Sequence, residues 1–147
     1  MEQLYRQTIM DHYKQPRNYG KLADDDAIVL PYKNPTCGDV MILYMLLQDD
    51  CIQDIKFEGS GCSISMASCS MMTELVKRKS VREVSQLLEQ FTSMIKEGAE
   101  PDEDVLEDAV SLSGVHKLRG RHNCALMGWQ ALQKSLEQHP VTLENHN

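Results

Sequence analysis

Apolar residues recur along the chain with two periods, and the change from one to the other divides it. Tyr5, Ile9 and Tyr13 fall at i, i+4 and i+8, which predicts a short helix over residues 2–14, broken by Pro16, Asn18 and Gly20. β-type runs follow at 27–33, 40–48 and 51–58, the last two joined by Asp49-Asp50 as a two-residue turn. In the third run Cys51, Ile55 and Phe57 share one face while Asp54, Lys56 and Glu58 share the other. That alternation predicts an antiparallel sheet covered on one side.

Beyond Gly59 the period becomes helical. Ile64, Ala67, Met71 and Leu75 form one stripe, with Met66, Met71 and Met72 read as packing residues. Ser80-Val81-Arg82-Glu83 has the form of a capping box. It opens a helix with Val84, Leu87, Leu88, Phe91 and Ile95 on its apolar face and Gly98 as its stop. Pro101 and a solvated acidic stretch over 100–104 lead into Val105, Leu106, Ala109 and Val110, a further short helix. Leu126, Trp129, Leu132 and Leu136 mark a last helix that ends before Pro140. Strands first and helices afterwards predict an α+β layer, a small three-stranded antiparallel sheet covered by helices.

Composition narrows the function classes. A length of 147 residues with 41% hydrophobic content fits one domain over 1–147 with a packed core. The 22 acids against 15 Lys plus Arg, net charge −7, argue against nucleic acid and anionic membrane surfaces as partners. The longest apolar run, 40–47, is far short of the roughly 20 residues that span a bilayer. Met1-Glu2-Gln3 opens no basic-then-apolar leader, so the expected location is cytoplasmic. Five cysteines cannot all pair internally, and in a reducing compartment they stay free or bind metal.

Three cysteines sit in unusual settings. Cys37 lies in Pro35-Thr36-Cys37-Gly38-Asp39 between two strands, where Gly38 is expected to permit a sharp turn that aims Cys37 and Asp39 to one side. Cys62 lies in the flexible Gly59-Ser60-Gly61-Cys62-Ser63 loop before one helix, and Cys124 ends Arg119-Gly120-Arg121-His122-Asn123-Cys124 before another. Both are therefore expected at helix starts, where free N–H groups and the helix dipole favour thiolates. Three thiolates and one carboxylate make a tetrahedral set suited to zinc or iron. The intervals of 25 and 62 residues contain no C-x-x-C, and a lone cysteine is usually a small buried hydrophobe. Cys51 fits that description on its strand's apolar face. Cys69, about 10 Å of helix rise beyond Cys62, is badly placed to share a metal with it. His12, His139 and His146 read as solvated, while His116 and His122 flank the Cys124 loop, His122 close enough to tune that thiol.

Together, Cys37-Gly38-Asp39, Gly59-Ser60-Gly61-Cys62-Ser63-Ile64-Ser65 and Cys124 at a helix start resemble the U-type iron–sulfur cluster assembly family, which includes IscU and the N-terminal domain of NifU. His12-Tyr13 and Pro16-Arg17-Asn18 also look like that family's opening. Asn123 stands where scaffold-type members carry His, and 115–123 lacks their Leu-Pro-Pro-Val-Lys motif. With an expanded helical segment around 99–120, the pattern is similar to the SufU branch. The resemblance implies an IscU/SufE-like fold with its metal site at one exposed edge. It implies Zn²⁺ held by Cys37, Asp39, Cys62 and Cys124, and a SufS-type cysteine desulfurase as the sulfur-donating partner. Downstream cluster scaffolds or apo-proteins would follow it.

Loop composition and the resemblance single out Cys37 as persulfide acceptor, with Arg121 steadying an anionic sulfur or a partner carboxylate and Gly38 and Gly61 in support. At most this makes the chain a zinc-dependent sulfurtransferase acting with the desulfurase. The alternative is a scaffold that assembles a transient [2Fe–2S] cluster, or holds iron, on the same ligands. A structural zinc domain is a third reading. A cysteine hydrolase would need an oriented Cys–His pair, for which only His116 and His122 offer a candidate.

Overall fold

The computed structural model describes residues 3–36 and 38–139. Helix α1 (Gln3–Lys14) precedes three strands, β1 (Ile28–Lys33), β2 (Val40–Gln48) and β3 (Cys51–Ser60). Helices α2 (Ser63–Val76), α3 (Val81–Glu97) and α4 (Glu103–Leu106) follow, then 3₁₀ segments at Glu107–Lys117 and Arg119–Arg121, and finally α5 (His122–Gln138).

The sheet is an antiparallel meander in the order β1-β2-β3. Asp49 and Asp50 turn the β2–β3 hairpin in the left-handed region, φ 53° and 64°, the backbone twist that two-residue hairpins favour. Inward residues Met41, Leu43, Met45, Ile55 and Phe57 are almost wholly buried. Helices α2 and α5 cover that face and each other, α1 lies on α2, and α3 packs against α5 and the 107–117 segment. Phe91 of α3 and Trp129 of α5 stack at 4.4 Å between centroids, closing the core between those helices. Met66, Met71 and Met72 are core residues.

The capping box forms as the pattern predicts: Glu83 N–H donates to Ser80 Oγ at 3.1 Å and Ser80 N–H to Glu83 Oε1 at 3.0 Å. Gly98, in the left-handed region at φ 72°, ends the helix.

Three expectations need correction. Cys51 is half-buried and outside the core, because the pairing slips between Leu46 and Leu47, opposing Leu46 to Asp54 but Leu47 to Ile52. The bulge turns Ile52, fully buried, into the place that strict alternation assigns to Cys51. The apolar stripe at 105–110 is not one helix. Glu107, at φ 48°, stops α4, and the chain continues as 3₁₀ turns that still bury Ala109, Val110, Leu112 and Val115.

His12 is not solvated. It is 2% exposed, its Nδ1 lies 2.7 Å from Ser70 Oγ and its Nε2 lies 2.9 Å from Asp108 Oδ2. Ser70 Oγ also accepts the Arg17 N–H at 2.8 Å. One proton per bond is satisfied when Ser70 O–H donates to Nδ1 and Nε2–H donates to Asp108. The imidazole thereby ties α1 to α2 and to the 107–117 segment. His139 is exposed, and His146 lies outside the described residues.

Candidate metal centre

Strand register brings the first two donor segments together. Val40 pairs with Ser60, so Asp39 just before β2 and Gly61-Cys62 just after β3 leave the same end of the sheet side by side. The third donor arrives on α5, which covers the sheet at β1 and β2. Ligand atoms of Asp39, Cys62 and Cys124 all lie within 4.8 Å of one another. Asp39 and Cys62 are half-buried and Cys124 is 4% exposed, so the cluster is partly open at that end of the sheet. Cys37 lies outside the described residues; its neighbours Thr36 and Gly38 are exposed.

The local chain explains each placement. Cys62 is the N-cap of α2, its Sγ accepting the Ser65 N–H at 3.5 Å. Ser65 Oγ also lies 3.4 Å from Cys62 Sγ and donates to Asp39 Oδ2 in a short hydrogen bond. Burial pushes the Cys62 thiol up. The hydrogen bonds from Ser65, from Cys124 and from the Ile64 backbone outweigh it, and the net direction is down, towards thiolate. Cys124 is in the first turn of α5. Arg121, exposed at the mouth, is held in its charged form first by the field of Cys62 and then by hydrogen bonding to Cys124. A guanidinium facing the two cysteine sulfurs offsets part of the charge that three anionic donors would concentrate.

Glycine matters at one of the two expected positions. A Cβ on Gly61 would meet Asp39 Cγ at 2.8 Å, so the carboxylate packs directly on the Gly61 backbone. Gly38, by contrast, has open space among the described residues where a Cβ would go, so crowding does not require glycine there.

Two contributors escape the sequence pattern. Ser65, fully buried, links the carboxylate to the Cys62 sulfur. Its position three residues after an N-capping side chain is the signal that finds it. Asn123 Nδ2 donates to Thr36 Oγ1 in a short hydrogen bond, tying the start of α5 to the loop that carries Cys37. Nothing in the sequence pairs those two residues, which are 87 positions apart.

The other cysteines and histidines lie elsewhere. Cys69 is fully buried, donates to Met41 Sδ at 3.7 Å, and has its thiol pushed up to about 12 by burial. His122 Nε2–H donates to the His116 carbonyl at 2.8 Å and His116 Nδ1–H to the Ile95 carbonyl at 2.9 Å. Among the described residues neither ring joins the donor cluster, and neither is arranged with a cysteine as a nucleophile–base pair.

Two thiols and a carboxylate fit a thiophilic divalent ion. A tetrahedral zinc with 2.3 Å bonds holds sulfurs about 3.8 Å apart, and these donors need close by only about 1 Å. An α+β layer with two cysteine sulfurs and a carboxylate gathered at one end of its sheet is the class that the fold and candidate site define.

Comparison makes that class specific. The chain belongs to the family of the NifU-like N terminal domain, which matches residues 4–143. It is 47% identical over 137 residues to the zinc-dependent sulfurtransferase SufU of Bacillus subtilis (strain 168), covering 92% of this chain and 91% of that protein. It is 38% identical over 138 residues to the iron–sulfur cluster assembly scaffold protein IscU of Streptococcus pyogenes serotype M1, covering 94% and 86%. Among solved structures it is similar to an iron–sulfur cluster assembly scaffold protein for the SUF system from Fervidobacterium islandicum AW-1, with TM-score 0.80, 36% identity and coverage of 88% and 93%. No helix among the described residues is long and apolar enough to cross a membrane.

Proposed function

We propose that this chain serves iron–sulfur cluster assembly in the cytoplasm as a zinc-bound acceptor and carrier of persulfide sulfur from a SufS-type cysteine desulfurase. The observation that carries the reading is the convergence of Asp39, Cys62 and Cys124 at a partly open end of the sheet. The SufU relative from Bacillus subtilis supports the choice of metal and chemistry. Asp39, Cys62 and Cys124 would hold the ion, with Cys37 as fourth donor. Bound zinc supplies positive charge that keeps thiols deprotonated near neutral pH while damping their nucleophilicity.

The chain's own residues then divide the work. Cys37, whose neighbours Thr36 and Gly38 are exposed, attacks the outer sulfur of the donor's persulfide as a thiolate. A new S–S bond forms at Cys37, the donor's S–S bond breaks, and the donor cysteine leaves as thiolate. The Thr36–Asn123 hydrogen bond keeps Thr36 beside α5, and Arg121 offers a cation to the anionic sulfur. Replacing Cys37 with Ala is expected to abolish stimulation of the desulfurase while the protein stays folded. Undiminished stimulation refutes the assignment.

Scaffolding of a [2Fe–2S] cluster is the second reading, favoured by the likeness to the Streptococcus pyogenes protein. Reconstitution with iron and sulfide, followed by transfer to an apo-protein, separates the two.

A further inference from the structure

In the segment that leads into the Cys124 helix, one recess is lined by basic residues on a chain of net charge −7. Lys96 from the last turn of α3, His116 and Lys117 from the end of the 3₁₀ segment, and Arg119 and His122 from the entry to α5 line one recess of about 530 Å³. Among the described residues no acidic side chain lines it. Lys96, Lys117 and Arg119 are exposed, and none forms an ion pair with a carboxylate among the described residues. The two imidazoles are fixed by the Ile95 and His116 carbonyls, which gives the recess rigid walls between its lysines and arginine. Three permanent cations in one concavity give it a local field opposite in sign to the net charge of −7.

The overall charge decides the kind of occupant. An extended polyanion such as nucleic acid or a membrane surface would face the acidic remainder of the molecule and be repelled. A short segment bearing two or three carboxylates meets only the recess. Position decides whose segment it is: Arg119 is two residues from Arg121, which faces the Cys62 and Cys124 thiols. A protein that reaches Arg121 and the donor sulfurs meets the short segment that also carries Arg119, one wall of this recess.

We infer that the Lys96–Lys117–Arg119 recess docks a short acidic segment of the sulfur-donating protein and sets its orientation over the metal centre. The inference rests on the sulfur-carrier reading and names the chemistry of its partner's contact. Charges of this kind act mainly on encounter rate and register.

The test pairs Lys117→Glu/Arg119→Glu with the milder Lys117→Gln/Arg119→Gln, using a SufS-type desulfurase as probe. The Glu pair is expected to weaken association by about tenfold or more at low salt, to flatten its ionic-strength dependence, and to raise the KM for this protein in the desulfurase assay. The Gln pair should fall between it and the unmodified chain. Bound zinc, melting temperature and kcat at saturation should stay as in the unmodified chain. Unchanged affinity and salt dependence in the Glu pair, with normal binding by the unmodified chain, overturns the recess alone. Displacement by inorganic phosphate beyond that of chloride at equal ionic strength also overturns it, in favour of a small-anion site. An unmodified chain that neither binds nor stimulates the desulfurase overturns the carrier reading together with the recess.

Discussion

Gly61→Ala isolates the geometry of the metal centre without touching a donor atom. The new Cβ would sit 2.8 Å from Asp39 Cγ and 3.1 Å from both Cβ and Oδ2 of that residue. Ordinary contact begins near 3.4 Å, so the carboxylate must withdraw by about 0.6 Å. The Gly61 backbone lies outside the left-handed region, and alanine adopts it without strain. The whole effect therefore falls on Asp39. Metal sites tolerate roughly 0.2 Å of error in donor distance, so a displacement several times larger should cost about 10–100-fold in zinc affinity, the range for lost supporting contacts. That is roughly 1.4–2.7 kcal/mol. The assay is competition for zinc against a chromophoric chelator, repeated in an Asp39→Ala background where the Cγ contact no longer exists. There Gly61→Ala should change affinity by less than about threefold, because coupled residues share one loss. Unaltered affinity in the single variant refutes the reasoning. An equal loss in both backgrounds refutes it as well.

Other expectations follow from buried and bridging groups. His12→Ala removes the link among α1, Ser70 and Asp108 and leaves a cavity, which should cost about 2–4 kcal/mol and lower the melting temperature by about 5–12 °C; a shift under about 2 °C contradicts it. Cys69 keeps its proton in the folded state up to about 12, whereas an unfolded thiol, with its ordinary value of 9.0, loses it earlier. The unfolded chain then binds fewer protons, so stability falls as pH rises between those values with a slope of one proton. Cys69→Ala should remove that slope in pH-dependent denaturant titrations. Asn123→Ala releases the clasp on Thr36, so amide exchange across 36–39 should quicken while the melting temperature moves little.

Much of this architecture is legible in the sequence because its signals are local. The capping box at Ser80, the Asp49-Asp50 turn and the apolar stripe of α3 each depend on residues a few positions apart. Cys62 at the start of α2 was readable for the same reason. What escaped is set by tertiary contact. Alternation cannot announce the bulge that exchanges Cys51 for Ile52, since it depends on how β3 pairs with β2. His12 reads as a surface residue until Ser70 and Asp108, 58 and 96 positions away, close on its two nitrogens. The split of the 105–110 stripe at Glu107 arises from one positive φ that apolar spacing does not encode. At the metal centre the donor types were readable, but the Ser65–Asp39 and Asn123–Thr36 contacts that position them join separate segments.

Zinc K-edge absorption of the purified protein, with metal content per chain, tests the central claim most directly. The account predicts one zinc per chain in a sulfur-dominated shell near 2.3 Å with one oxygen donor near 2.0–2.2 Å. Cys62→Ser and Cys124→Ser should each lower the sulfur count by one. A chain that holds no zinc, or a shell of nitrogen donors unmoved by either substitution, would contradict it.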